Sequence, residues 1–173
     1  RLSAEELRDS MLVASGEIDL TLGGSTMRAE TKSDYDYQHT TTRRSLYQPV
    51  FRNALPELLE AFDFAATGYS TGERSRTTVA TQPLALMNSD WVHARAAALA
   101  TKIVSECQAE DAPHNPVAWV HTAYRLCLQR EPAQSELAIC LEFFEFDQAS
   151  RHPEHLERLV HSLLASIDFR YLR

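Results

Sequence analysis

Residues 77–90 read TTVATQPLALMNSD, and this stretch decides how the chain divides. Thr77, Thr78 and Val79 favour an extended path. Thr81 is placed to cap a short turn that tolerates Pro83 and buries Leu84, Leu86 and Met87. Asn88 can end that turn, and Ser89 can cap the helix that follows. The stretch is therefore expected to be a joint. Residues 1–76 mix helical and extended pieces with long loops, whereas residues 77–173 read as nearly continuous helix. The expected fold is mainly α. A bundle-like helical C-terminal half packs with a mixed N-terminal half carrying short β segments and long loops, within one domain spanning 1–173.

On the helical side, a helix from Ser89 to about Cys107 places Val92, Ala96, Leu99, Ile103 and Val104 on one face. Pro116 suits the first turn of a second helix, with Val117, Val120, Tyr124, Cys127 and Leu128 inward. The helix near 133–148 has two apolar faces: Leu137, Cys140, Leu141 and Phe144 form one, Ile139, Phe143 and Phe146 the other. So wide an arc needs cover on two sides. This helix is expected either to be central or to present a surface to another domain. The last helix, about 153–168, carries one stripe through Leu156, Leu159, Val160, Leu163, Leu164 and Ile167.

On the mixed side, Ser3 and Glu6 form a capping-box pattern ahead of Leu7, Met11, Leu12 and Ala14, and Gly16 suits the stop. Ile18, Leu20 and Leu22 alternate before Gly23-Gly24, predicting a short half-buried strand and a turn. Residues 25–43 form a polar loop, longer than the roughly 12–15 residues usual for structureless connections. Tyr35 and Tyr37, flanked by Asp34 and Asp36, could line a polar site there. RRSLYQPVFRN (43–53) predicts an extended edge strand containing Pro49. A short helix follows, capped by Asn53, with Leu55, Leu58, Leu59 and Phe62 as its stripe.

Composition removes several functions. Net charge is -7 and the pI near 5.5, against the basic footprint of a nucleic-acid binder or of a protein docked on an anionic membrane. No apolar run approaches the roughly 20 residues of a membrane-spanning helix. The chain starts at Arg1 without methionine, so it is expected to be a piece of a longer protein whose signal peptide would not be visible.

No motif is specific enough to name a reaction. Cys107, Cys127 and Cys140 form no CxxC and are expected as buried apolar side chains; a Cys127–Cys140 disulfide would be about one helical turn, 5.4 Å, out of register. His152, His155 and His161 do not make a compact zinc set, and His93, His114 and His121 are scattered, so no metal site is expected. There is no GxSxG elbow and no glycine-rich phosphate loop. Glu57, Glu60 and Asp63 make a row of acids expected to be a solvated helix face. Arg43, Arg44, Arg52, Arg74 and Arg76 concentrate positive charge in an acidic chain. Forked arginines suit carboxylates or phosphates, but pairing with Glu57, Glu60, Asp63 or Glu73 is the expected use.

The stretches RRSLYQPVFRNALPELLEAFDF, TTVATQPLALMNS and LVHSLLASIDFRYL resemble the planctomycete PSD-one domain, as do RLSAEELRDSMLVASGEIDLTLGG and AYRLCLQREPAQSELA. This is a domain of unknown function at the C-terminal end of large planctomycete proteins with cytochrome c-like domains. Gln48 and Pro83 depart from the family, standing where apolar or small residues are expected. The resemblance implies a secreted or periplasmic parent protein, with haem elsewhere in it and no cofactor in this chain. Its motifs match at Arg43, Arg44, Tyr47, Arg52, Asn53, Thr77, Thr78, Gln82 and Asn88, and all of these but Thr77 are the candidate binding residues. The expected function is a non-catalytic structural or interaction module partnering neighbouring domains of the same protein. The alternatives are a polysaccharide- or polymer-binding module using the tyrosine-rich loop with the arginines, and part of an active site shared with a neighbouring domain.

Overall fold

The computed structural model describes residues 1–27, 29–35, 37–70, 72–109, 115–145 and 153–171. Asp36, His114, Phe146 and His152, singled out above, lie outside the described residues. Among the described residues eight α-helices run in chain order: α1 (Ala4–Ser15), α2 (Glu57–Ala61), α3 (Thr81–Asn88), α4 (Asp90–Ala109), α5 (Pro116–Leu128), α6 (Gln134–Glu145), α7 (Pro153–Ala165) and α8 (Ile167–Arg170).

Local chemistry sets the helix ends. In α1 the Ser3 hydroxyl accepts from the Glu6 N–H at 3.3 Å and the Glu6 carboxylate accepts from the Ser3 N–H at 2.7 Å. Gly16, at φ 76°, closes the helix in the left-handed conformation. Asn115 caps α5 by accepting from the Val117 and Ala118 N–H groups.

The core forms around α4. Val92, Ala96, Leu99, Ala100, Ile103 and Cys107 are buried along it, and its most extensive contact is with α7, while α1 and α5 pack on its other sides. One cluster of buried apolar side chains runs from Ala4 to Phe169. Within it, α7 supplies Leu156, Val160 and Leu164, all fully enclosed. All three cysteines are buried, and none is in a disulfide.

The mixed half departs from expectation. No strand forms at 18–22: the backbone there makes only one isolated parallel bridge, Asp19 to Arg43. Leu20 is 63% exposed and Leu22 78%. Alternating apolar residues make a strand only where a second strand supplies ladder partners, and here a side chain, Arg43, binds the carbonyls instead. The strand expected over 43–53 is also absent. Ser45–Tyr47 is a 3-10 turn, and only an isolated antiparallel bridge, Phe51 to Ala54, follows. The Asp9 carboxylate takes the Ser45 N–H and hydroxyl, each at 2.7 Å, and Pro49 has no N–H to offer a ladder. Asn53 does not cap α2, which begins at Glu57 after Pro56 with no side-chain cap. The apolar stripe of α2 stands, with Leu58, Leu59 and Phe62 buried.

Residues 77–90 form α3 and lead into α4, but they pack differently from the expectation. Ala80, not Thr81, holds the N-cap position of α3. Leu86 is buried as expected, but Leu84 and Met87 face outward and Gln82 is fully enclosed. Ser89 is the single extended residue between α3 and α4, and its carbonyl accepts from the His93 N–H at 3.0 Å.

Candidate functional site

Arg43, Arg44 and Tyr47 come together beneath α1, on residues that α1 itself fixes. Arg8 lies four residues from Ala4 and from Leu12, so the helix turns it inward, and it is 2% exposed. Its guanidinium donates to the carbonyls of Arg43 at 2.9 Å and Thr41 at 2.5 Å and to the Ser45 hydroxyl at 3.2 Å. Burial pulls the Arg8 pKa below its ordinary value, against the opposing pull of Asp9. Trp91 of α4 meets two guanidiniums, Arg8 at 5.5 Å and Arg95 at 5.0 Å from its ring centre.

Arg43 extends the arrangement outward. It donates to the carbonyls of Thr21, Gly23 and Ser25, and its guanidinium carbon sits 4.0 Å from the centre of the Tyr47 ring. The Tyr47 hydroxyl accepts from the Gly23 N–H at 3.0 Å. Gly23 and Gly24, both at positive φ, allow the backbone to curl so that these carbonyls converge on one cation. Arg44 reaches the Asp9 carboxylate at 3.9 Å, and Arg74 reaches Glu5 at 2.6 Å. Of the five clustered arginines, Arg44 and Arg74 thus pair with acids, and those acids are on α1, while Arg43 binds carbonyls; among the described residues none of the five is paired with Glu57, Glu60, Asp63 or Glu73. Arg52 and Asn53 are exposed, and Asn53 donates to Asp34 at 3.4 Å.

A second cluster ties the joint to the end of α2. Asp63, at φ 59°, accepts from the Thr77 N–H at 2.8 Å and from the Thr77 hydroxyl at 2.7 Å. Arg1 pairs with the same carboxylate and donates to the Thr77 carbonyl, which also accepts from the Gln82 amide at 3.1 Å. Partial burial would raise the Asp63 pKa, but the bonds from Thr77 and the charge of Arg1 outweigh it and hold the carboxyl below its ordinary value. Thr78 and Asn88 are exposed. The candidate residues thus divide into an α1 cluster (Arg43, Arg44, Tyr47), a joint cluster (Thr77, Gln82) and isolated surface positions (Arg52, Asn53, Thr78, Asn88).

Between α1 and residues 44–50 lies an open groove of about 1000 Å³. Val13, Leu20, Leu46 and Val50 line it with Asp9, Arg44 and Gln48. In the described clusters beside it, ionic side chains bind backbone and one another, a means of fixing loops. Of the tyrosines proposed for ligand contact, Tyr47 is engaged by Arg43 and Gly23, Tyr37 packs on His39 and Phe51, and Tyr35 is open.

The two-faced helix gives a clearer surface. On α6, Cys140 is buried and Leu137 and Phe144 pack against the core. Tyr124 of α5 hydrogen-bonds Cys140, and Phe144 meets Trp119 edge to face with ring centres 6.0 Å apart. The other side carries Ile139, 66% exposed, and Phe143, 38% exposed. Helix α6 packs chiefly on α5, so it is not the central helix. Glu142, three residues on from Ile139, flanks the exposed pair and is itself exposed, and no Lys or Arg occurs from 131 to 145. Phe143 also meets His155, ring centres 5.6 Å apart, and that histidine is buried.

Sequence reasoning missed Arg8 and Asp9, and also His93 with His161, whose rings the fold stacks 4.0 Å apart. Arg8 had a signal, a charged residue inside an apolar arc. The histidines, on different helices, had none.

Comparison with known proteins adds family membership. No curated protein and no solved structure matches the chain. A family model described as PSD1, protein of unknown function (DUF1553), matches residues 1–144, which run from α1 through nearly all of α6. The chain belongs to the PSD1 family of proteins of unknown function.

Proposed function

We propose that this chain is a non-catalytic interaction module whose docking surface is the outer side of α6. The observation carrying this reading is the exposure of Ile139 and Phe143 side by side on a helix already packed on its other face. Leaving two large apolar side chains in water gains nothing for a lone domain, and burying each would contribute about 1.5–3 kcal/mol. The occupant is a neighbouring domain of the parent protein. Its matching face should be apolar at the centre and carry Lys or Arg at one edge, complementing Glu142. The resemblance to planctomycete PSD-one domains makes a secreted or periplasmic, haem-associated parent the natural setting.

The test is calorimetric titration of this chain with the preceding domain of its parent supplied in trans. Ile139→Glu with Phe143→Glu should weaken binding at least tenfold, and Glu142→Lys should weaken it less and reduce its salt dependence. Equal binding by all three proteins defeats the reading. Saturable glycan binding lost in Tyr35→Ala would favour the polysaccharide alternative.

A further inference from the structure

We propose that the groove between α1 and residues 44–50 is a binding site for a short apolar peptide segment that carries a lysine. None of its lining residues is on α6, so it is separate from the docking surface proposed above. Glu6, Asp9, Ser10 and Val13 line one wall at steps of three and four residues, so the groove follows a single face of α1. From Ser3 to Val13 that wall is about 15 Å long, the span of roughly five residues of extended chain. Val13, Leu20, Leu46 and Val50 line the groove and are all exposed. Four large apolar side chains on one concave surface suit the apolar side chains of a ligand.

The polar groups of the groove call for donors. Gln48 lines it and is 6% exposed, yet its Oε1 has no hydrogen-bond partner among the described residues. Glu5, on the α1 wall, has its Oε2 buried without a partner as well. Both atoms are acceptors, and among the described residues no unpartnered buried donor lines the groove. A buried acceptor left in this state costs stability until a donor reaches it. The arginines of the groove are engaged elsewhere. Arg74 donates to Glu5 Oε1 at 2.6 Å and lies 4.9 Å from the Phe64 ring centre, and Arg44 reaches Asp9. The lining acids Glu5, Glu6 and Asp9 outnumber Arg44 and Arg74, so the groove favours a cation over an anion. A peptide N–H donates to Gln48, the lysine ammonium pairs with Glu5, and apolar residues on either side cover Leu20, Leu46 and Val50.

The test is calorimetric titration of the chain with two acetylated and amidated pentapeptides, Leu-Val-Lys-Val-Leu and Leu-Val-Glu-Val-Leu, alongside backbone amide NMR. The lysine peptide should bind at least tenfold more tightly than the glutamate peptide. It should shift the amides of α1 and of residues 44–48 but not those of Ile139 and Phe143. Gln48→Leu fills the space without an acceptor, so it should weaken the lysine peptide at least fivefold while raising the urea midpoint of the free chain. Leu46→Ser, at an exposed position, should weaken both peptides, and Glu5→Gln should remove most of the preference for lysine. No saturable binding, equal binding of the two peptides, or shifts confined to α6 would overturn the proposal. So would a Gln48→Leu chain that loses stability and keeps its affinity, the result of an amide that only holds a buried water. Should Gln48→Leu fail to fold, Leu46→Ser and the shifts of the unmodified chain decide.

Discussion

The region under α1 and the α4–α7 pair are held together by different physics. Along α4 and α7, Leu99, Ile103, Leu156 and Leu164 exclude water by shape, and their periodicity repeats within each helix. Residues 17–53 contain no α-helix and no strand ladder among the described residues. They are pinned by side chains that reach across: Arg8 to Thr41 and Arg43, Asp9 to Ser45, Arg43 to Thr21 and Gly23. The lesson is that a long irregular segment can be fixed by a few forked cations satisfying several backbone carbonyls each.

This contrast breaks first if the helical side is not the main source of stability. Leu99→Ala leaves a cavity at the centre of α4 and should cost about 2–5 kcal/mol in urea unfolding. Because one apolar cluster spans both halves, hydrogen exchange should rise throughout the chain. A cost below about 1 kcal/mol would mean that α4 does not organise the core.

Arg8→Met is the matched experiment on the polar side. Methionine keeps much of the volume but leaves the Thr41 and Arg43 carbonyls without their donor. Each buried group left unsatisfied costs about 1–3 kcal/mol, and rearrangement toward water should keep the total near the lower end. Hydrogen exchange should accelerate at residues 41–47 while α4 and α7 keep their protection. Uniform acceleration would erase the distinction between the two regions.

What was legible follows the same line. Ser3 with Glu6, Gly16, and the stripe from Leu156 to Leu164 act within one helix, so their spacing predicts α1 and α7 closely. Ile18, Leu20 and Leu22 have the period of a strand, but a strand also needs a partner, and the fold provides the Arg43 side chain. The arginine concentration was visible, while its partners Asp9 and Glu5 were not, because they come from a helix some 35 to 70 residues earlier. On α6 the second apolar face could be read from Ile139 and Phe143, whereas the facing of His93 by His161 depends wholly on how α7 lies along α4.

Arg43→Lys should have a smaller effect, because charge is kept while the fork is lost. A single ammonium cannot serve the Thr21, Gly23 and Ser25 carbonyls and also lie flat on Tyr47. About 0.5–1.5 kcal/mol per lost hydrogen bond is the scale, and exposure of this loop brings the net to about 1 kcal/mol. Limited proteolysis should show faster cleavage near residues 20–25 with little change in the global unfolding midpoint.

The smallest effect sharpens the comparison at the joint. The Asp63 carboxyl has its pKa lowered in the folded chain, so the folded state binds its proton less readily than the unfolded state does. Its contribution to stability is therefore fully present above the unfolded value of about 3.8 and fades as pH falls through the lower folded value. Asp63→Asn removes this dependence while keeping a carbonyl oxygen for Thr77. The unmodified chain should be the more stable of the two at pH 6, and the gap in urea midpoint should close as pH falls below the unfolded value of about 3.8 and through the lower folded one. A gap that stayed constant with pH would show that Thr77 needs only an oxygen at Asp63, not a charge. The joint between the two halves would then rest on hydrogen-bond geometry alone.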